Sequence, residues 1–234
     1  MPNTEPSFWC IVPAAGRSSR FGGEIPKQYL AIGGKPMLMH TLTRLAMHPR
    51  IAGVMVVLAQ KDVYWAGLGS LRGKPVRTAV GGEERADSVL AGLRALREQV
   101  VDSQFVLVHD AARPCVRAAD ITRLIELGVP AGGALLAAPV RDTLKRAGTD
   151  NRVVVTEPRE ARWRALTPQL FRYGELSAAL EAAGGGAAIT DEAMAMERTG
   201  HRPLLVEGSD DNIKVTTAAD VALAEFLLSR TAET

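Results

Sequence analysis

Two groups of residues in this chain of 234 have the types and spacing to handle phosphate chemistry. The first follows the apolar run Phe8-Trp9-Cys10-Ile11-Val12. Small residues Ala14, Ala15 and Gly16 come next, then Arg20, then Pro26-Lys27. Small side chains let backbone N–H groups approach a phosphate closely, and two nearby cations can neutralise its charge. That is the layout of a nucleoside triphosphate site. It is not a Walker loop, because no Gly-Lys-Ser/Thr closes it. It is not a dinucleotide fingerprint either, because Gly16 lacks partner glycines at the required spacing. The second group is Asp110, which closes the apolar run Phe105–His109. A carboxylate there sits at the C-terminal end of a strand, where ligands of open α/β sheets gather, and is a hard oxygen ligand for a divalent ion.

The elements that must position these groups alternate along the chain. Strands are expected at Phe8–Pro13, Ile51–Ala59, Pro75–Val80, Gln104–His109 and Gly133–Ala138, with helices at Pro36–Met47, Glu84–Glu98 and Ala118–Leu127 between them. Such alternation predicts βαβ units. The fold class expected is therefore α/β, a Rossmann-like, mainly parallel (mixed) sheet flanked by helices. The C-terminal part predicts helices over Tyr173–Ala183, Asp191–Thr199 and Thr217–Ser229, with short strands near Leu204–Val206 and Ile213–Val215. Val140 to Arg164 breaks the alternation. It is charged, carries the turn Gly148-Thr149-Asp150-Asn151, and has β-prone runs at Val140–Lys145 and Arg152–Thr156. A projecting hairpin arm within one domain of 1–234 is the expectation, and such an arm cannot bury itself.

Seven segments in order carry a resemblance. They are Ala14-Ala15-Gly16 with Arg20 and Pro26-Lys27-Gln28-Tyr29; Gly81-Gly82-Glu83-Glu84-Arg85-Ala86-Asp87-Ser88-Val89; Val108-His109-Asp110-Ala111-Ala112-Arg113-Pro114; Ala138-Pro139-Val140-Arg141-Asp142-Thr143; Leu166-Thr167-Pro168-Gln169; Ile189-Thr190-Asp191-Glu192; and Asp211-Asn212-Ile213-Lys214-Val215-Thr216. Together they resemble the family of nucleotidyltransferases that transfer a cytidylyl group from CTP to 2-C-methyl-D-erythritol 4-phosphate in the non-mevalonate isoprenoid pathway. The nearest rival chemistry is cytidylylation of ribitol 5-phosphate, and a rival of another class is a regulatory nucleotide-binding module without catalysis. Ala112 and the stretch Pro139–Thr143 lean toward the methylerythritol enzymes.

The resemblance implies roles residue by residue. Ala14, Ala15, Gly16, Lys27, Gly82, Glu83, Ser88 and Ala111 would bind the nucleotide, with Gly82 and Ser88 against cytosine. Arg113, Thr143, Arg159, Thr167, Thr190 and Lys214 would bind the polyol phosphate. Asp110 and Asp211 would hold Mg²⁺ or another divalent ion. It also implies a homodimer whose arm completes the neighbour's site. Ser18 stands where the family commonly has glycine, and Arg162 lies close to Arg159.

In the implied chemistry a substrate phosphate oxygen attacks the α-phosphorus in line and diphosphate leaves. The nucleophile is already an anion, so the obstacles are charge repulsion and charge build-up, and cations do most of the work. Arg20 and Lys27 are the expected stabilisers, with Lys214 and Arg159 holding the attacking phosphate. His109 has no proton to remove and is expected to be structural.

Composition sets outer bounds. The formal charge is +2, with 47% hydrophobic and 23% charged residues, and no dense Lys/Arg cluster points to nucleic acid. Cys10 and Cys115 form no framework of pairs, so buried thiols are expected. Residues 1–7 lack the pattern of a signal peptide, and no apolar run is long enough to span a membrane. A cytoplasmic protein is the expectation.

Overall fold

The computed structural model describes residues 7–16, 25–184 and 189–230. Arg20 and Ser18 lie outside the described residues. Four parallel strands form the half of the sheet that carries the small-residue loop: β1 (Phe8–Pro13), β4 (Ile51–Leu58), β6 (Lys74–Val80) and β7 (Phe105–Val108). Between β1 and β4 lie the short pair β2 (Ala31–Ile32) and β3 (Lys35–Pro36) and helix α1 (Met37–Met47), and β5 (Ser70–Leu71) precedes β6. Helix α2 (Arg85–Ala95) crosses from β6 to β7, and α3 (Ala118–Gly128) leads to β8 (Gly133–Pro139). An arm of β9 (Leu144–Ala147) and β10 (Val153–Glu157) follows, then β11 (Trp163–Arg172), α4 (Tyr173–Ala182), α5 (Glu192–Arg198), β12 (Leu204–Glu207) and α6 (Ala218–Arg230).

The eight-stranded sheet runs β12-β8-β11-β7-β1-β4-β6-β5. It is mixed because β11 is antiparallel to both β7 and β8, and β5 is antiparallel to β6. Strand β11 was not among the expected strands. Its middle is Thr167-Pro168-Gln169, where proline removes a backbone donor and polar side chains interrupt any apolar alternation. The register on β8 shifts between Ala165 and Gln169, so the ladder steps around this proline. The expected strand at Ile213–Val215 does not form: that segment is irregular, held by the bond from Val215 N to Ala112 O at 2.8 Å.

Successive strand residues point to opposite faces, which gives the sheet two apolar layers. Cys10, Val12, Val54, Val56 and Leu107 pack with Leu38, Leu42 and Leu45 of α1 and Ile121, Leu124 and Ile125 of α3. On the other face Ile11, Met55, Val57, Val106 and Val108 pack with Val89 and Leu93 of α2, Leu176 and Leu180 of α4, and Met196 of α5. Gly92 lets α2 press onto the sheet, since a Cβ there would lie 2.8 Å from both Ile11 Cγ2 and Val57 Cγ2. Cys10 and Cys115 are free and buried, and burial pushes the Cys115 thiol up to about 11.

The arm stands apart from these layers. Strands β9 and β10 pair antiparallel with each other as a separate two-stranded sheet, and Asn151 adopts φ of 59° at the tip. At its base β11 pairs with β8, Trp163 opposite Pro139, so the arm continues the β8–β11 hairpin.

Candidate active site

The C-terminal ends of β1, β6 and β7 open onto one cleft. Its empty volume is about 620 Å³, partly open to solvent. Ala14, Ala15, Gly16, Lys27, Glu83, Ser88, Asp110, Ala111 and Lys214 all line it, so nine expected residues from four of the seven segments meet. The small-residue loop leaves β1 with Ala14 N bonded to Val57 O at 2.7 Å, and Gln28 donates to Ala14 O at 2.7 Å. Gln28 thus pins the loop to the turn that carries Lys27. Lys27 Nζ lies 3.4 Å from Val215 O, beside Lys214.

The opposite wall is the start of α2. Glu84 and Asp87 form a capping box, each side chain accepting from the other's backbone N–H. Glycine is needed just before it: a Cβ on Gly81 would lie 2.6 Å from Ser88 Oγ, and one on Gly82 would lie 2.4 Å from Asp87 Cβ. Ser88 is buried against this turn, its hydroxyl 3.5 Å from Gly82 O, and so is not a helix-surface residue.

Asp110 is the hub of the floor. Its Oδ1 accepts from Arg85 Nε at 3.0 Å, its Oδ2 lies 2.9 Å from Lys214 Nζ, and Arg113 Nε stands 3.7 Å away. Burial opposes the charge on this carboxyl, but Arg85, Lys214 and Arg113 outweigh it and hold the group well below the usual carboxylate range. Arg85 is shared: its Nη1 and Nη2 also bind Glu192 at 2.6 and 3.1 Å. Burial works against the Arg85 charge too, and the two carboxylates more than offset it. Sequence reasoning assigned no role to Arg85, Glu192 or Gln28, although each lies in a quoted segment. The available signal was a pair of opposite charges in two such segments, at Arg85 and Glu192.

Behind Asp110 a chain of hydrogen bonds fixes His109. Asp110 N donates to Thr167 Oγ1 at 3.0 Å, the Thr167 hydroxyl is 3.0 Å from His109 Nδ1, and His109 Nε2 is 3.1 Å from Arg113 O. The hydroxyl therefore donates to Nδ1, and Nε2 carries the proton given to the carbonyl. Burial pushes the imidazole down to about 4, so it is neutral at pH 7 and braces the floor, as a structural histidine should.

The remaining expected residues are not all in the cleft. Thr167 and Arg113 are buried braces: Arg113 Nη1 donates to Asn212 O at 2.6 Å and Nη2 to Ala165 O at 3.4 Å. Thr190 is exposed, its hydroxyl 3.4 Å from Met194 Sδ, just before the cap of α5. Thr143 and Arg159 are exposed on the arm, where Arg159 donates to Arg141 O. Asp211 is not among the residues that line the cleft. It is ion-paired with Arg117 in a separate depression, where Asp210 pairs with Arg141 and Arg164. No group of three or more His, Cys, Asp or Glu side chains suited to a metal occurs among the described residues. No helix among them is long and apolar enough to cross a membrane.

Comparison with known proteins extends this geometry. A family model described as 2-C-methyl-D-erythritol 4-phosphate cytidylyltransferase matches residues 8–230. A protein of that name from Stenotrophomonas maltophilia (strain K279a) is 60% identical over 228 residues, covering 97% of this chain and 98% of its own. A crystal structure of a 4-diphosphocytidyl-2C-methyl-D-erythritol synthase superposes with a TM-score of 0.82 at 37% identity, over 96% of this chain and 100% of that one. The Francisella tularensis 2-C-methyl-D-erythritol 4-phosphate cytidylyltransferase gives 0.79 at 34% identity, over 94% and 99%.

Proposed function

The chain belongs to the 2-C-methyl-D-erythritol 4-phosphate cytidylyltransferase family, and on that premise we propose how its residues carry the transfer of the cytidylyl group from CTP to 2-C-methyl-D-erythritol 4-phosphate. The observation that carries the reading is the convergence of the small-residue loop, the start of α2, Lys27 and Lys214 on one cleft floored by Asp110. Backbone groups of Ala14, Ala15, Gly16 and Gly82 cradle the nucleotide, and Ser88 reads the base. Glu83 and Ala111 border the ribose. Lys27, with Arg20 from outside the described residues, faces the charge that develops on the α-phosphate and the leaving diphosphate. Lys214 holds the attacking phosphate in line. Preorganised cations of this kind lower the barrier because they need no reorganisation as charge moves.

A divalent ion fits this floor on one carboxylate only. Asp110 stays ionised: its Oδ1 meets both Nε and Nη2 of Arg85, and its Oδ2 keeps a lone pair beyond the one given to Lys214. Magnesium usually takes one or two carboxylates and completes its shell with substrate phosphates and water. Asp110 would hold it. Asp211, neutralised by Arg117, has no such support as a second ligand. Held there, such an ion would supply positive charge against the triphosphate.

The polyol phosphate site is completed by Thr190 and, from a second copy of the chain, by Thr143 and Arg159 of the arm, while Arg113 and Thr167 act from behind as braces. The exposed Val153, Val154 and Val155 of β10 support a C₂ dimer, because an isolated two-stranded arm has unpaired edges to cover. Turnover of CTP with 2-C-methyl-D-erythritol 4-phosphate and with ribitol 5-phosphate, followed by diphosphate release, tests the assignment. The methylerythritol substrate should be strongly preferred. Equal or better turnover of ribitol 5-phosphate would reassign the substrate, and no diphosphate release with either would leave a binding module.

A further inference from the structure

We propose that Glu192 is a positioning residue for the transfer, acting through Arg85 and Asp110 on Lys214. The inference rests on the reading of Lys214 as the holder of the attacking phosphate. Glu192 does not itself line the cleft, but its carboxylate binds Arg85, which does. It is fully buried at the first turn of α5, with its carboxylate turned inward onto the guanidinium. Its position is itself fixed. Asp191 caps the helix through Met194 N at 2.9 Å, and Gln169 of β11 clamps the turn by donating to Asp191 at 3.0 Å and accepting from Ala193 N at 2.7 Å.

Charge and geometry say what this carboxylate does. Arg85 has a planar fork that can take both oxygens of one carboxylate at once. Here it does not do so with Asp110. It meets Oδ1 alone, through Nε at 3.0 Å and Nη2 at 2.9 Å, while Nη1 and Nη2 bind the two oxygens of Glu192. Oδ2 is thereby left to Lys214, whose amine is part-exposed on the cleft. The trio Arg85, Asp110 and Glu192 carries one net negative charge, which keeps Asp110 attractive to a further cation. Without Glu192 the pair Arg85–Asp110 is neutral, the fork is free to close over both oxygens, and Lys214 loses its anchor. The buried Arg113 Nε, which has no hydrogen-bond partner, stands 3.7 Å from Oδ2 as a second competitor for it.

Steady-state kinetics of E192Q, R85Q, R85Q/E192Q and K214M test this. E192Q should raise KM for the polyol phosphate roughly 10- to 100-fold, as loss of a charge-assisted contact does, and change KM for CTP by less than about threefold. Removing the competing guanidinium should undo that loss: KM for the polyol phosphate in R85Q/E192Q should fall back to that of R85Q. A purely structural Glu192 would lower stability without this split between the two substrates. The proposal is overturned if E192Q leaves KM for the polyol phosphate unchanged, or if E192Q raises it again in the R85Q background. Should E192Q not fold, the comparison of R85Q with R85Q/E192Q decides alone, because removing both partners of a buried pair is tolerated better than removing one. A K214M variant with unchanged KM for the polyol phosphate would overturn the reading of Lys214 and this inference together. A defective K214M beside an unaffected E192Q overturns this inference only.

Discussion

The floor of the cleft and the arm hold proposed substrate ligands in opposite ways. On the floor every charge already has its partner: Asp110 and Glu192 are buried and share Arg85, and Lys214 rests on Asp110. On the arm Thr143 and Arg159 are exposed, and Val153 and Val154 are 63% and 59% exposed beside them. One region is organised by its own chain before substrate arrives. The other has too little apolar surface of its own to fix anything and needs something to lean on. The difference separates chemistry that must be preorganised from recognition that a second subunit can supply.

The largest test strikes the floor. Asp110→Asn leaves Arg85, Arg113 and Lys214 around a neutral amide, so activity should vanish and stability should fall by about 3–5 kcal/mol in urea denaturation, as for other broken buried pairs. A variant as stable as the parent would mean that the floor is no more organised than the arm. Next, Lys27→Ala should lower kcat by about 10²–10³-fold, typical of one preorganised donor, with little change in melting temperature. An unchanged kcat removes Lys27 from the mechanism.

The arm is tested by mixing. Lys27→Ala and Arg159→Ala are each expected to be inactive alone. After subunit exchange a heterodimer has one doubly defective and one intact site, so about a quarter of wild-type activity should return. No recovery in verified heterodimers would place Arg159 in its own chain's site and end the contrast.

The smallest effect is a pH slope confined to the folded layers. His109 and His48 are both buried and lowered to about 4, against an ordinary value of 6.5. Protons then bind the unfolded chain first, so stability is full above about pH 6.5 and falls as pH drops toward 4. Arg50 N donates to His48 Nδ1 at 3.2 Å, a bond that protonation removes. His48→Gln should flatten part of the slope in urea midpoints measured from pH 7 to 4.5, whereas substitutions at the arm tip should leave it unchanged. An identical slope in His48→Gln would show that the ring is not the titrating group.

The sheet and the cleft were legible to different depths. Strand Phe8–Pro13 and the parallel neighbours announced themselves because a strand covered by helices on both faces is almost all apolar. Asp110 was legible because it ends such a run. Strand β11 was not, since Thr167 and Gln169 are buried polar residues whose partners, His109 and α5, cannot be seen in a local window. The same blindness hid Glu192: a glutamate opening a helix is ordinarily a surface residue, and only the fold brings Arg85 to it. Equally invisible to a local window is the pairing of Asp211, outside the cleft lining, with Arg117 at the cap of α3.

The ties that complete the cleft span great lengths of chain. Arg85 meets Glu192 across 107 positions, Arg113 meets Asn212 across 99, and Lys27 meets Val215 across 188. Each such closure costs loop entropy that local structure does not repay, so contacts of this separation are intrinsically slow to form. The layer of β1, α1 and β4 can assemble while the cleft does not yet exist. The cleft should therefore be among the last parts of the molecule to form during folding. A partly folded chain would present the small-residue loop after β1 without Lys214, so the proposed sites for nucleotide and polyol phosphate would become complete in the same late step.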